Sequence, residues 1–271
     1  MLFGLRGVAM FPEREVFSVL GSLEGKVAMY LEDLTGGETF TVNPERVFPS
    51  ASTIKIPLLA AVLKAAEAGK FSLNDQVAIA SSNRVGGAGV LGELNPNLRP
   101  TVRDLATLMI IQSDNTATNQ LIDLVGTEAV NALCRELGLK HTVLQRKMMD
   151  FEAARAGRNN FTSAGDLGLL LKLLYEGKVV GPAASATIID IMKRQQLRNK
   201  LPAYLPKDVV VAHKTGDLDG LEHDAGIIFL PGRPYILVVL TADLAANSAG
   251  VEAIARISEV VYRALSTSAA K

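Results

Sequence analysis

Ser52 and Lys55 stand three residues apart at the front of 50-SASTIKIPLLAAVLKAAEAG-69. On a helix that spacing puts the two side chains on neighbouring positions of one face, where a neutral lysine could accept the serine proton and release a nucleophile. The residues around them, Ile54, Ile56, Leu58, Leu59, Val62 and Leu63, leave almost no polar face. A lysine buried at a helix start loses water and meets the positive end of the helix dipole, and both effects favour its neutral form. Pro57 cannot donate to the Thr53 carbonyl, so the turn carrying the pair should be irregular or 3₁₀-like. Taken alone, an S-x-x-K pattern is common by chance and describes an N-cap serine with a snorkelling lysine.

Two further polar clusters fall outside the core pattern. Ser113-Asp114-Asn115 sits on a connection between two expected helices, where Ser113 could relay a proton to a leaving nitrogen and Asn115 could bind a substrate amide. Alone it is an N-cap cluster. Lys214-Thr215-Gly216 follows a strand expected over 208–213. Its lysine and hydroxyl can hold a carboxylate, and Gly216 lets a ligand approach the strand edge. Alone it is a strand followed by a turn. The three motifs occur in this order, 61 and 101 residues apart, each at a junction of the expected lobes, and chance explains that poorly.

The elements that must position them are strands at both ends of the chain and helices between. A short helix is expected over 13–22, and a hairpin from 26-KVAMYLE-32 and 38-ETFTVN-43. Helices follow at 102–111, capped by Thr101 and Asp104, at 115–125, stopped by Gly126, and from Thr127 through Cys134. Two more cover 163–177 and 183–196, the latter opened by Pro182. Segments 208–214, 224–230 and 235–243 are β-branched, and 248–266 is a long amphipathic helix. The expected fold class is therefore α+β. A five-stranded antiparallel sheet is flanked by the N- and C-terminal helices, and an all-helical lobe is inserted. Residues 1–49 and 207–271 would form the discontinuous α/β lobe and 50–206 the helical lobe, with an active site in the cleft between them.

Composition narrows the function. The 271 residues carry 28 Lys and Arg against 28 Asp and Glu, which gives no electrostatic case for nucleic acid or an anionic membrane. The basic stretch 193-KRQQLRNK-200 is short, lacks aromatics and reads as a solvated helix end. No run reaches the ~18 consecutive apolar residues of a spanning helix. The N-terminal 1-MLFGLRGVAMFPERE-15 is broken by Arg6 and has no clear signal-peptide pattern, so the chain as written reads as cytoplasmic, or periplasmic or secreted if a leader was removed. Cys134 is alone and reads as a buried structural thiol; His141, His213 and His223 have no ligand spacing, so no metal is expected. The glycine-rich 84-RVGGAGVLGEL-94 follows no strand and reads as a loop at the cleft rim, with Val85 or Val90 as substrate contacts. His223 and Asp224 read as a strand-end pair, with recognition of a substrate carboxylate as the functional alternative.

On its three motifs, their spacing and the order of elements, the chain resembles the class A β-lactamase-like serine hydrolases over nearly its whole length. The resemblance implies that Ser52 is the acylated nucleophile and Lys55 its proton acceptor, and that Ser113 passes a proton to the β-lactam nitrogen. It implies that Asn115 contacts the acylamide side chain, that Lys214 and Thr215 hold the carboxylate, and that the oxyanion hole uses the backbone N–H groups of Ser52 and Asp217. Neither metal nor organic cofactor is implied. The expected substrate is a β-lactam or a peptidoglycan-like small molecule, and a monomer is expected. One departure stands out in 146-RKMMDFEAARAGRNNFTS-163, which corresponds to the loop whose Arg-x-Glu glutamate activates the hydrolytic water in class A enzymes. Met148 occupies that glutamate's place, Glu152 is the first candidate for a substitute base with Asp150 close by, and Asn159-Asn160 replace the acidic partner of the arginine. Acylation is thus better supported than deacylation. Alternatives within the fold are a D-alanyl-D-alanine peptidase or esterase, and a sensor that is acylated and stays so.

Overall fold

The computed structural model describes residues 11–269. Of the N-terminal stretch read for a leader, residues 1–10 lie outside the described residues. The helices are α1 (Glu13–Gly21), α2 (Lys55–Glu67), α3 (Val102–Ile111), α4 (Asn115–Val125), α5 (Thr127–Glu136), α6 (Phe151–Arg155), α7 (Ala164–Tyr175), α8 (Pro182–Lys193) and α9 (Asn247–Ala269). The strands are β1 (Lys26–Asp33), β2 (Thr39–Val42), β3 (Val47–Pro49), β4 (Phe161–Ser163), β5 (Val211–Leu218), β6 (Leu221–Ile228) and β7 (Tyr235–Ala242).

Five strands form one antiparallel sheet in the order β2-β1-β7-β6-β5, which leaves β5 with a free edge. Side chains alternate along each central strand, so the sheet has two buried faces. Met29, Leu31, Leu237 and Val239 join Val16 of α1 and Ile254, Ile257 and Val261 of α9 in one cluster. Ala28, Ile236, Val238, Leu240 and Ala225 face the larger cluster built with α2, α3, α4, α5, α7 and α8. Burial on both faces explains why β7 reads YILVVLTA, with no polar alternation.

The helix ends follow local sequence. Thr101 and Asp104 make a reciprocal capping box on α3, Asp114 caps α4 through Ala117 N, and Gly126 ends α4 at φ +83°. Cys134 is buried in α5, and burial pushes its thiol up to about 12, consistent with a structural role.

Two expectations shift. β5 begins at Val211 and runs through Lys214-Thr215-Gly216 to Leu218, so the motif lies inside the strand instead of after it. β6 correspondingly starts at Leu221, which puts His223 and Asp224 within the strand. The valine run 209–211 overlaps β5 only at Val211; the hairpin closes at the Asp219-Gly220 turn, where Gly220 adopts φ +68°. Asn247 braces that turn, accepting from Gly220 N at 2.9 Å and donating to Leu218 O at 2.7 Å. The inserted region also contains β4, which pairs with β3. Three residues are too few to show a strand period.

Candidate active site

Ser52 lies in a 3₁₀ turn, Ala51–Ile54, that leads directly into α2 at Lys55. Pro57 is the third residue of α2, and the irregular first turn expected from it is observed. Three non-glycine residues of this neighbourhood hold left-handed backbone: Ala51 at φ +45°, Ser113 at φ +54° and Met149 at φ +63°. Each conformation costs on the order of 1–3 kcal/mol and persists only where the surroundings fix it.

Lys55 is fully buried. Its Nζ lies 2.7 Å from Ser113 O, 2.9 Å from Asn115 Oδ1 and 3.1 Å from Ser113 Oγ. The carbonyl and the amide oxygen can only accept, so they take two N–H bonds, and the third corner of the nitrogen faces a hydroxyl that can donate or accept. Burial first, and then the neighbouring Lys214 cation, hold Lys55 well below the usual lysine range, against the pull of Asp114 and Asp217. Among the described residues no hydrogen bond joins Ser52 Oγ to Lys55.

Lys214 reaches the same hydroxyl from β5: its Nζ donates to Ser113 Oγ at 3.0 Å and to Thr215 O at 2.8 Å. Burial and the Lys200 cation lower its pKa to about 7. Ser113 Oγ thus bridges two buried amines. Thr215 Oγ1 is buried and, among the described residues, has no hydrogen-bond partner.

A cleft of about 150 Å³ opens over this group, lined by Ser52, Ser113, Asn115, Gly87, Ala88 and Asp217 on one side and by Arg146, Met148, Met149 and Phe151 on the other. A larger hollow of about 610 Å³ lies at the far end of α2 among Leu63, Phe71, Leu73 and Ala184, away from these groups. Gly216 packs against the nucleophile turn: a β-carbon there would fall 3.1 Å from both Ala51 Cβ and Ser52 N. A side chain there would require the turn to give by a few tenths of an ångström.

The structure brings Ser52, Lys55, Ser113, Asn115, Lys214, Thr215, Gly216 and Asp217 together. It does not bring Glu152 with them. Glu152 is exposed on α6, and the cleft wall there is formed by Phe151 and the two methionines. Asp150 caps α6 through Ala153 N. Helix geometry decides this, since α6 turns Phe151 toward the cleft and Glu152 to water. Asn115 is committed to the fold, with Nδ2 on Gly86 O at 3.0 Å and Oδ1 on Lys55. Asp114 clamps the glycine-rich loop, its Oδ2 accepting from Val90 N and Leu91 N at 2.7 Å each. That loop lines the cleft with Gly87 and Ala88, not with Val85 or Val90, because Gly89 must pass against Asp114 where no side chain fits.

His223 and Asp224 serve the chain itself. His223 Nε2 lies 2.9 Å from Pro49 O, and burial lowers its pKa to about 4; Asp224 pairs with buried His213 at 3.0 Å and accepts from Leu201 N. Two further residues packed near the site carry no motif in the sequence. Asn119 holds the Met148 peptide at both ends, accepting from its N–H at 2.7 Å and donating to its carbonyl at 3.2 Å. Lys200, read as part of a solvated helix end, is only 3% exposed and lies beneath β5.

The sequence profile described as "Beta-lactamase enzyme family" matches residues 12–265. The chain belongs to that family. It is 30% identical over 224 residues to a β-lactamase of Streptomyces lavendulae, covering 80% of this chain and 73% of that one. Among solved structures it is similar to a β-lactamase from Sphaerobacter thermophilus, at 33% identity and a TM-score of 0.87, covering 94% of this chain and 97% of that one. It is also similar to a leucine-to-glutamate mutant of PBP-A, solved as an acyl-enzyme complex with penicillin G. That match has 32% identity and a TM-score of 0.86, over 94% and 96% of the two chains. The protein is a serine β-lactamase-like hydrolase of α+β fold. Among the described residues no cluster of histidine, cysteine and carboxylates could hold a metal ion, and no helix is long and apolar enough to cross a membrane.

Proposed function

We infer that the protein opens β-lactam rings through an acyl-enzyme on Ser52 and releases the acyl group slowly. Neutral Lys55 takes the Ser52 proton as Oγ attacks the lactam carbonyl carbon. The backbone N–H groups of Ser52 and Asp217 receive the developing oxyanion. As the C–N bond breaks, Ser113 gives its proton to the ring nitrogen and recovers one from Lys55. The Lys214 ammonium and the unpartnered Thr215 hydroxyl take the substrate carboxylate.

Slow release rests on one observation: the 146–160 side of the cleft offers Arg146, Met148, Met149, Phe151, Asn159 and Asn160, and no carboxylate. A water above an ester on Ser52 has no base on that side. A peptidase or esterase of the same fold shares the acylation groups, and the missing base favours it as the second reading.

Mixing the protein with a chromogenic cephalosporin while following colour and intact mass tests both. The expected outcome is a burst of one equivalent with a persistent adduct that Ser52→Ala abolishes. Rapid sustained turnover would refute slow release. Ester cleavage with neither colour nor adduct would replace the β-lactam reading with the esterase.

A further inference from the structure

Beneath β5 lies a buried ammonium that the acylation steps do not use. Lys200 Nζ donates to Gly216 O at 3.1 Å and to His223 O at 3.2 Å, and it forms an ion pair with the buried Glu222 carboxylate. Glu222 is held in turn by Asn247 Nδ2 at 2.8 Å, the residue that braces the β5–β6 turn. Burying such a pair is costly, and truncating one partner would strand the other charge.

The acceptor matters more than the pair. Gly216 C=O and Asp217 N–H belong to one peptide unit, and no peptide bond among the described residues is cis. Across a trans peptide the carbonyl and the N–H point in opposite directions. Gly216 stands opposite His223 of β6, and its carbonyl reaches Lys200. The Asp217 N–H then faces the other way, toward the free edge of β5, and Ser52 N lies close by, 3.1 Å from where a β-carbon on Gly216 would stand. A cation bonded to the peptide oxygen draws electron density from the nitrogen, strengthens the N–H as a donor and fixes the peptide plane. The Asp217 side chain lines the same cleft, so an oxyanion forming at this amide has a carboxylate nearby.

We propose that Lys200 is a positioning residue of the oxyanion hole. By holding Gly216 O from behind, it aims and polarises the Asp217 N–H toward the acyl oxygen on Ser52. This rests on Ser52 being the acylated nucleophile.

The acyl-enzyme carbonyl reports the effect directly. Infrared difference spectra of the penicillin adduct should show its ester C=O stretch move to higher frequency in Lys200→Met, as the bond to the amide weakens. Acylation should slow about tenfold or more, short of the roughly 10²–10³-fold cost of losing a donor outright. Lys200→Arg, which keeps a charged donor, should return both readings toward wild type. If Lys200→Met fails to melt cooperatively, Lys200→Gln takes its place, since it leaves a neutral donor of similar shape. A folded Met or Gln variant that acylates within about twofold of wild type with an unmoved stretch overturns the proposal. A lysine that merely stabilised the hairpin would lower the melting temperature and leave the stretch where it was. If wild-type protein forms no adduct on Ser52, the parent reading fails instead.

Discussion

The two walls of the cleft are built on different principles. On the β5 side, Lys55, Lys214, Thr215 and Ser113 are all at most 3% exposed, and each amine has at least two hydrogen-bond partners. On the 146–160 side, Phe151 is 59% exposed and Glu152 faces water, while Arg146 is engaged with Asn159 Oδ1 at 3.0 Å. Burial lowers the pKa of an amine because it penalises charge, so the first wall can hold a neutral base near pH 7. The second wall sets Met148, Met149 and Phe151 beside Arg146, Asn159 and Asn160, and no carboxylate of that segment lines the cleft. On the proposed function, acylation and deacylation need different groups, and only the first wall carries a candidate base.

The largest effect should come from removing the nucleophile. Ser52→Ala should give no covalent adduct by intact mass, and an adduct mapped to any other residue would break the comparison at its root. Next is Lys55→Met, for which stopped-flow acylation should slow by roughly 10²–10⁴-fold, the range for loss of a positioned general base. Deacylation of the small amount of adduct formed should change far less. The second wall is tested by gain: Met148→Glu should speed release of the acyl group by about tenfold or more, in line with the span of general-base catalysis. The Met148 peptide is already held by Asn119, so the new carboxylate would extend from a fixed backbone. No acceleration would mean that release is limited by something other than the missing base.

A smaller effect concerns pH. The pKa of Lys214 is lowered to about 7, so its ammonium is present below neutrality and lost above it. Lys55 must be neutral to accept the Ser52 proton, and burial holds it well below the usual lysine range. The second-order acylation constant for a carboxylate-bearing β-lactam should therefore fall as pH rises through about 7. Lys214→Arg should remove that fall, because a guanidinium keeps its proton; a limb that survives the change belongs to another group. The smallest effect should be that of Glu152→Gln, with acylation and deacylation both within about twofold of wild type. A selective loss of deacylation would restore Glu152 as the base and require α6 to rotate.

The fold was largely legible. Helix boundaries marked by Thr101, Asp114, Gly126 and Pro182 lie within a residue or two of the observed ends, because capping and chain reversal act through neighbours in sequence. The extent of β5 was not, since the valine run 209–211 overlaps the strand only at Val211 and the hairpin closes at Asp219 and Gly220. The small sheet of β3 and β4 was also missed. Its partners are more than a hundred residues apart, and its three-residue strands carry no period.

The sequence by itself determined which groups could do chemistry and in what order they come. S-x-x-K is local geometry, and the three motifs, with their spacing, follow from the chain alone. Only the tertiary structure decided what those groups are chemically. Whether Lys55 is a base depends on its burial and on a second amine 159 residues away; whether Glu152 is one depends on which way a one-and-a-half-turn helix faces. Lys200 shows the same limit most clearly. Its stretch has the composition of a solvated helix end, yet folding places its ammonium under the strand edge, where a charge acts through distance and dielectric and not through sequence.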